Sequence, residues 1–153
     1  MMTALAHESV WAGGAGNANP GDGWQAASLS SIGEVAPLVE AVAAAMMALG
    51  YARKDLFGMR LALEEALVNA IKHGHRYDRA KVVRVSYRVC REHALVEVAD
   101  EGPGFDPIAV PDPTATENLG RPGGRGMLLM RSYLTGVHYN GRGNCVTLWR
   151  RCS

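Results

Sequence analysis

The chain has 153 residues, 48% of them hydrophobic, and a formal net charge of +1 at pH 7. This length implies one domain with at most a short tail, and apolar material ample for a core. Near-neutral charge excludes the basic footprint of a nucleic-acid or anionic-membrane binder. The most apolar run, residues 41–49, falls far short of the ~20 residues a spanning helix needs. No basic segment precedes an apolar one at the N-terminus, so no signal peptide is expected. Cys90, Cys145 and Cys152 are odd in number and share no metal-ligand spacing, as expected of reduced thiols in a cytoplasm.

Residues 1–23 hold five glycines and no hydrophobic period, and are expected to form a disordered tail. Their Gly-Gly-Ala-Gly stretch lacks the preceding strand and following helix that a phosphate loop requires. A first strand is expected within Trp24–Ser30. Ser31-Ile-Gly-Glu34 has the form of a capping box opening a helix through Leu49, closed by Gly50. A second helix is expected from Asp55, as N-cap, to His73, with Gly74 as its C-cap. The period then changes to two: Val83, Val85, Tyr87 and Val89 alternate with polar or small residues, and Leu95, Val96 and Val98 do so less strictly. Two strands follow, joined by a turn at Arg91-Glu-His93. Residues 102–123 contain five of the seven prolines, so a long loop is expected there, of a length that suits a functional lid. Met127–Leu134 reads as a short helix. Gly136–Tyr139 and Cys145–Arg150 read as a closing hairpin around Asn140–Asn144. Helices early and paired strands late indicate an α+β fold, with helices on one face of a mixed sheet.

At 100° per residue, Glu65, Asn69, Lys72 and His73 share an arc of roughly 100° on the second helix, whose remaining residues (Leu61, Leu63, Leu67, Val68, Ile71) are apolar. Such a polar stripe faces water, a partner or a cavity. Glu64, about 100° from Glu65, fits ordinary surface charge. Asp100 ends an apolar strand. It either caps the turn at Gly102-Pro103 or holds a carboxylate at a pocket floor, where it would accept a hydrogen bond from an amine such as that of adenine. Glycines at 102, 104, 123, 124 and 126 are either turn formers or sites where backbone N–H groups approach phosphate without an obstructing Cβ. A helix starting near Gly124 would direct its positive end at the same anion. Arg121 and Arg125 lie in the stretch that would close on phosphates. The sequence contains no Walker loop, no zinc pattern among its histidines and cysteines, and no Gly-x-Ser-x-Gly elbow.

Together these segments resemble the GHKL ATPase superfamily of gyrase B, histidine kinases and MutL, and within it the anti-sigma-factor and serine-kinase branch. The resemblance covers roughly residues 24–151. Glu65-Ala-Leu-Val-Asn69-Ala-Ile-Lys-His73-Gly74 is similar to the N box, Asp100-Glu-Gly-Pro-Gly-Phe105 to the G1 box, and Gly123-Gly-Arg-Gly-Met127 to the G2 box. Gly143-Asn-Cys-Val-Thr-Leu148 resembles the last strand, with Cys145 where a polar residue is expected. The resemblance implies a two-layer Bergerat sandwich over residues 24–153, with helices on one face of a mostly antiparallel sheet. It implies Mg²⁺ held by Asn69 and a general base at Glu65, acting on a protein hydroxyl or a water. Adenine would be read by Asp100 with Thr147. The phosphates and lid would be framed by Gly102, Gly104, Gly124, Arg125 and Gly126, and His73, Gly74, Phe105 and Met127 complete the ATP-binding set.

The implied function is that of an ATP- and Mg²⁺-dependent serine/threonine kinase. It would sequester a sigma factor and phosphorylate an anti-anti-sigma antagonist, in the cytoplasm, as a homodimer, with no direct contact to nucleic acid or membrane. Two other readings stay open: a histidine-kinase-like catalytic module acting on a separate chain, and a non-enzymatic module that captures a partner in an ATP-dependent way. A histidine kinase would need a phosphoacceptor helix ahead of Trp24, where the sequence has only His7 in a Gly-rich segment. A topoisomerase or mismatch-repair ATPase would need a transducer domain after Ser153.

Overall fold

The computed structural model describes residues 23–76, 78, 80–102, 131–141 and 143–153, with only the backbone of His73. Strand β1 (Gln25–Leu29) leads through a 3-10 turn (Ile32–Glu34) into helix α1 (Val35–Ala48), followed by α2 (Arg53–Asn69) and a π-helical turn (Ala70–Gly74). Strands β2 (Val83–Val89), β3 (His93–Ala99), β4 (Gly136–Tyr139) and β5 (Cys145–Arg151) complete the chain. They form a five-stranded sheet in the order β1-β2-β3-β5-β4. Every pairing among the described strands is antiparallel. The α+β class expected from the element order is the one observed.

Both helices bury one stripe. In α1 the buried residues are Val35, Leu38, Val39, Val42, Ala43 and Met46, which is the i, i+3, i+4, i+7 spacing of a single face. In α2 they include Leu56, Met59, Ala62, Leu63, Ala66 and Leu67. These stripes meet Val83 and Val85 of β2, Val96 and Val98 of β3, and Val146 and Leu148 of β5 in one core. The strand alternation turns Arg84, Ser86, Leu95, Glu97, Cys145 and Thr147 to the other face.

Three local expectations are corrected. Ser31 makes no side-chain cap; its hydroxyl donates to Glu34 Oε1 at 3.0 Å, and regular α-helix starts only at Val35. Asp55 is not the N-cap of α2. That position is Ala52, and Asp55 lies in the first turn, fully buried. Its carboxylate takes hydrogen bonds from Arg150 Nε at 2.7 Å, from the Ser153 amide at 3.0 Å and from the Ser153 hydroxyl at 2.6 Å. A fully buried carboxylate requires such partners. Gly74 is not a left-handed cap either, for the positive-φ glycines among the described residues are Gly23, Gly50 and Gly143. Gly50 does close α1 as expected: at φ +85° it donates to Met47 O while Tyr51 donates to Met46 O, a Schellman ending.

Candidate functional site

Helix α2 carries Glu65 and Asn69 one turn apart on a half-buried strip, while Glu64 and Lys72 are exposed. Asn69 is the last α-helical residue. The next turn widens to π geometry, closed by the His75 amide donating to Ala70 O at 2.9 Å. Such single-turn widenings recur at functional sites, because they re-aim the side chains that follow. The widened turn delivers Gly74 against Asp100. A Cβ on Gly74 would stand 2.7 Å from Asp100 Cγ, and one on Gly102 would meet Asp100 Oδ1 at 2.8 Å and collide with the Gly74 carbonyl. The two glycines are therefore required by close approach rather than by φ. Between them they hold the Asp100 carboxylate at the junction of α2 and β3.

Asp100 is partly paired. Among the described residues, the Gly102 amide alone donates to its carboxylate, to Oδ1 at 2.7 Å. Burial raises its pKa above the ordinary carboxylate value, opposed by the Gly102 hydrogen bond and by the Lys81 ammonium. A half-buried carboxylate with a raised pKa is what a ligand-facing acceptor looks like.

Two further residues brace this floor. His75, 3% exposed, accepts the Glu101 amide on Nε2 at 2.7 Å, which places its proton on Nδ1. Glu101 Oε2 in turn accepts the Val82 amide at 2.9 Å. Neither was anticipated. The sequence signal was present, however: a histidine directly after the N-box glycine and a second acid directly after Asp100.

Thr147 is not brought to Asp100. It pairs with Glu97 and lies on the sheet face turned away from the helices, so the Asp100–Thr147 pair expected to read adenine is not formed. Asn144 stands across from Asp100 instead, its carbonyl accepting the Asp100 amide at 2.9 Å. Strand alternation explains the outcome, since Asn144 and Thr147 differ by an odd number of residues. Asn144 is fixed by Asn140, whose Nδ2 donates to Asn144 Oδ1 at 2.7 Å and whose Oδ1 accepts the Asn144 amide at 3.0 Å. Cys145 sits on the outer face, its thiol donating to Glu97 Oε1 at 3.3 Å, and burial pushes that thiol up to about 12.

Near Glu65, β4 contributes Tyr139. Burial pushes its phenol up to about 12, with the Arg131 guanidinium opposing and the Glu65 carboxylate adding to the rise. Tyr139 thus lies within electrostatic reach of both Glu65 and Arg131. Nothing in the motif spacing would have singled them out. Gly104, Phe105, Gly124, Arg125, Gly126 and Met127 lie outside the described residues, as do residues 1–22, nearly all of the 102–123 loop, Arg121, and residues 127–130 of the expected short helix.

An antiparallel sheet with helices on one face, bearing a glycine-cradled carboxylate at the end of a helix with a Glu/Asn strip, defines a nucleotide-binding two-layer domain. The chain belongs to the histidine kinase-like ATPase domain family, which it matches over residues 28–150. It is similar to the serine/threonine-protein kinase BtrW of Bordetella bronchiseptica, 28% identical over 88 residues that cover 56% of this chain and 62% of the relative. Similarity to the serine-protein kinase RsbW of Bacillus subtilis is 28% identity over 95 residues, 58% of this chain and 59% of the relative. The anti-sigma F factor of Clostridium perfringens is 34% identical over 53 residues, 35% of this chain and 38% of the relative. The matches to the two kinases thus span about three-fifths of those proteins. No helix among the described residues is long and apolar enough to cross a membrane.

Proposed function

We propose that the protein is an ATP-dependent anti-sigma serine/threonine kinase, which sequesters a sigma factor and phosphorylates its antagonist. The observation that carries this reading is the Asp100 carboxylate gripped by Gly74 and Gly102 at the end of the helix that bears Glu65 and Asn69. Asp100 accepts from the base amine, and Asn144, fixed by Asn140, lines the same end in place of Thr147. Asn69 offers an amide oxygen, a hard donor suited to Mg²⁺. The bound Mg-ATP supplies the phosphoryl group and the charge neutralisation for its transfer. Glu65, a turn before Asn69, takes the proton from the acceptor hydroxyl. Tyr139 and Arg131 line the neighbouring part of the site, where Arg131 adds positive charge near the Tyr139 phenol. The names of the relatives support a serine or threonine acceptor and a sigma-factor client. The same reading places the protein in the cytoplasm as a homodimer.

The test separates binding from transfer. The protein that co-purifies from the native cell is incubated with labelled Mg-ATP and either wild type or Glu65→Ala. ATP affinity, measured by calorimetry, should stay within a few-fold, while label transfer to serine or threonine should fall by about 10²–10⁴. Transfer at the wild-type rate would remove Glu65 as the base and favour a module that binds ATP and partner without turnover.

A further inference from the structure

The end of the sheet remote from Asp100 carries a second chemically distinct cluster. Cys90, Glu92 and His93 surround the β2–β3 turn, and one ligand atom from each lies within 4.8 Å of the others, the one such set of His, Cys and acidic side chains among the described residues. We propose that these three side chains form a binding site for a borderline-soft divalent ion of the zinc class, separate from the nucleotide site.

Four observations carry the proposal. First, the donor set is mixed in the way that selects such an ion: a thiol sulfur, an imidazole nitrogen and a carboxylate oxygen. Zinc accepts all three at about 2.0–2.3 Å, whereas a hard ion such as Mg²⁺ has no use for sulfur. Second, the spacing is already close. Donor atoms around a tetrahedral ion with those bond lengths stand roughly 3.3–3.8 Å apart, and Cys90 Sγ is 3.8 Å from Glu92 Oε2. Third, the backbone of the turn is held on every side. The Cys90 amide donates to His93 O at 3.0 Å, the Cys152 amide donates to Glu92 O at 2.9 Å, and the Tyr51 hydroxyl donates to Cys90 O at 2.6 Å. Ligands on so constrained a turn have little order left to lose on binding. Fourth, the donor set can neutralise the ion it holds. Arg88 and Arg151 both act on His93 and oppose a dication. A thiolate and a carboxylate in the same coordination sphere supply two negative charges to offset it.

Three protein donors leave one tetrahedral position, which a water fills. The cluster is separated from Asp100 by the whole of β3, about 20 Å at ~3.3 Å per residue. No linear spacing of cysteines and histidines announces it, because its donors are gathered by a two-residue turn rather than by a zinc-finger pattern.

The test uses the full-length, tag-free chain titrated with Co²⁺ and then Zn²⁺ in the absence of nucleotide. One Co²⁺ per chain should produce a thiolate-to-cobalt charge-transfer absorption, which Zn²⁺ abolishes by displacement. Cys90→Ser should eliminate the absorption, while Cys145→Ser and Cys152→Ser retain it. Glu92→Gln, at an exposed position, and His93→Gln should each weaken Zn²⁺ binding by about tenfold or more. A metal held by Asn69 has no sulfur donor and gives no such band, so the two sites are distinguished by the spectrum itself. Absence of the band in wild type, or its survival in Cys90→Ser, overturns the proposal.

Discussion

Asp100 is held at a cost. Its raised pKa means that the folded state favours the protonated acid relative to the unfolded chain. The stability this represents is complete below the ordinary carboxylate value and is lost as pH rises through the raised one, so at neutral pH the wild type lacks it. Asp100→Asn never ionises and keeps the acceptor for the Gly102 amide. It should therefore unfold at a higher denaturant midpoint than wild type at neutral pH, with the two curves converging as the acid range is entered. The same substitution presents a donor to the base amine. Loss of a hydrogen bond to a charged group costs about 1.5–3 kcal/mol, so ATP affinity should fall roughly 10- to 150-fold by calorimetry. A variant that is neither stabilised nor weakened for ATP would show that this carboxylate does not face the ligand. Gly102→Ala tests the cradle from the other side. Its Cβ would run into the Gly74 carbonyl and the Asp100 carboxylate, where backbone must move. Overpacking of this kind costs about 1–3 kcal/mol, and circular dichroism melts should register it even without nucleotide.

Among the elements, α2 is where the sequence was most and least legible. Its apolar period, the co-facing Glu65 and Asn69 and its approximate end were readable from 3.6-residue spacing alone. Its beginning was not, because Asp55 has the residue type of an N-cap and its true partners, Arg150 and Ser153, are about a hundred positions away. Nor was the π turn, which accompanies the close approach of Gly74 to Asp100 and is not encoded in any single residue's propensity. The Thr147 expectation failed for a similar reason. A motif match fixes position along the strand, whereas the face depends on registration with β3. The buried Asp55–Arg150 pair permits a quantitative prediction. Burial alone would raise the Asp55 carboxyl, but the bonds from Ser153 and Arg150 more than reverse this and hold it below the usual carboxylate range. Its contribution is thus present above the ordinary carboxylate value and disappears as pH falls through the lowered one. Asp55→Ala should cost about 3 kcal/mol at neutral pH, the low end for a broken buried pair, since the Arg150 side chain retains 20% exposure and can turn to water. Urea unfolding at neutral pH and in the acid range should find the loss large in the first and shrinking in the second.

For the molecule as a whole, stability should follow distance from the sheet edges. Among the described residues, β2, β3 and β5 are paired on both sides, while β1 and β4 each have one partner. Native-state hydrogen exchange should therefore find the slowest amides in the central strand β3, approaching the global unfolding free energy, and faster exchange in β1 and β4. The same order has a kinetic consequence. β2–β3 and β4–β5 are hairpins that contiguous chain can form by itself, within about 1–10 μs. β3 and β5 join across a long stretch of sequence, with Ala99 meeting Cys145, and distant pairings of this sort are slow. Only that closure brings Asn144 to Asp100. Neither hairpin alone contains an ATP-binding end, and nucleotide recognition during refolding should appear with the slow phase. In this chain the ligand site is a reporter of the completed sheet.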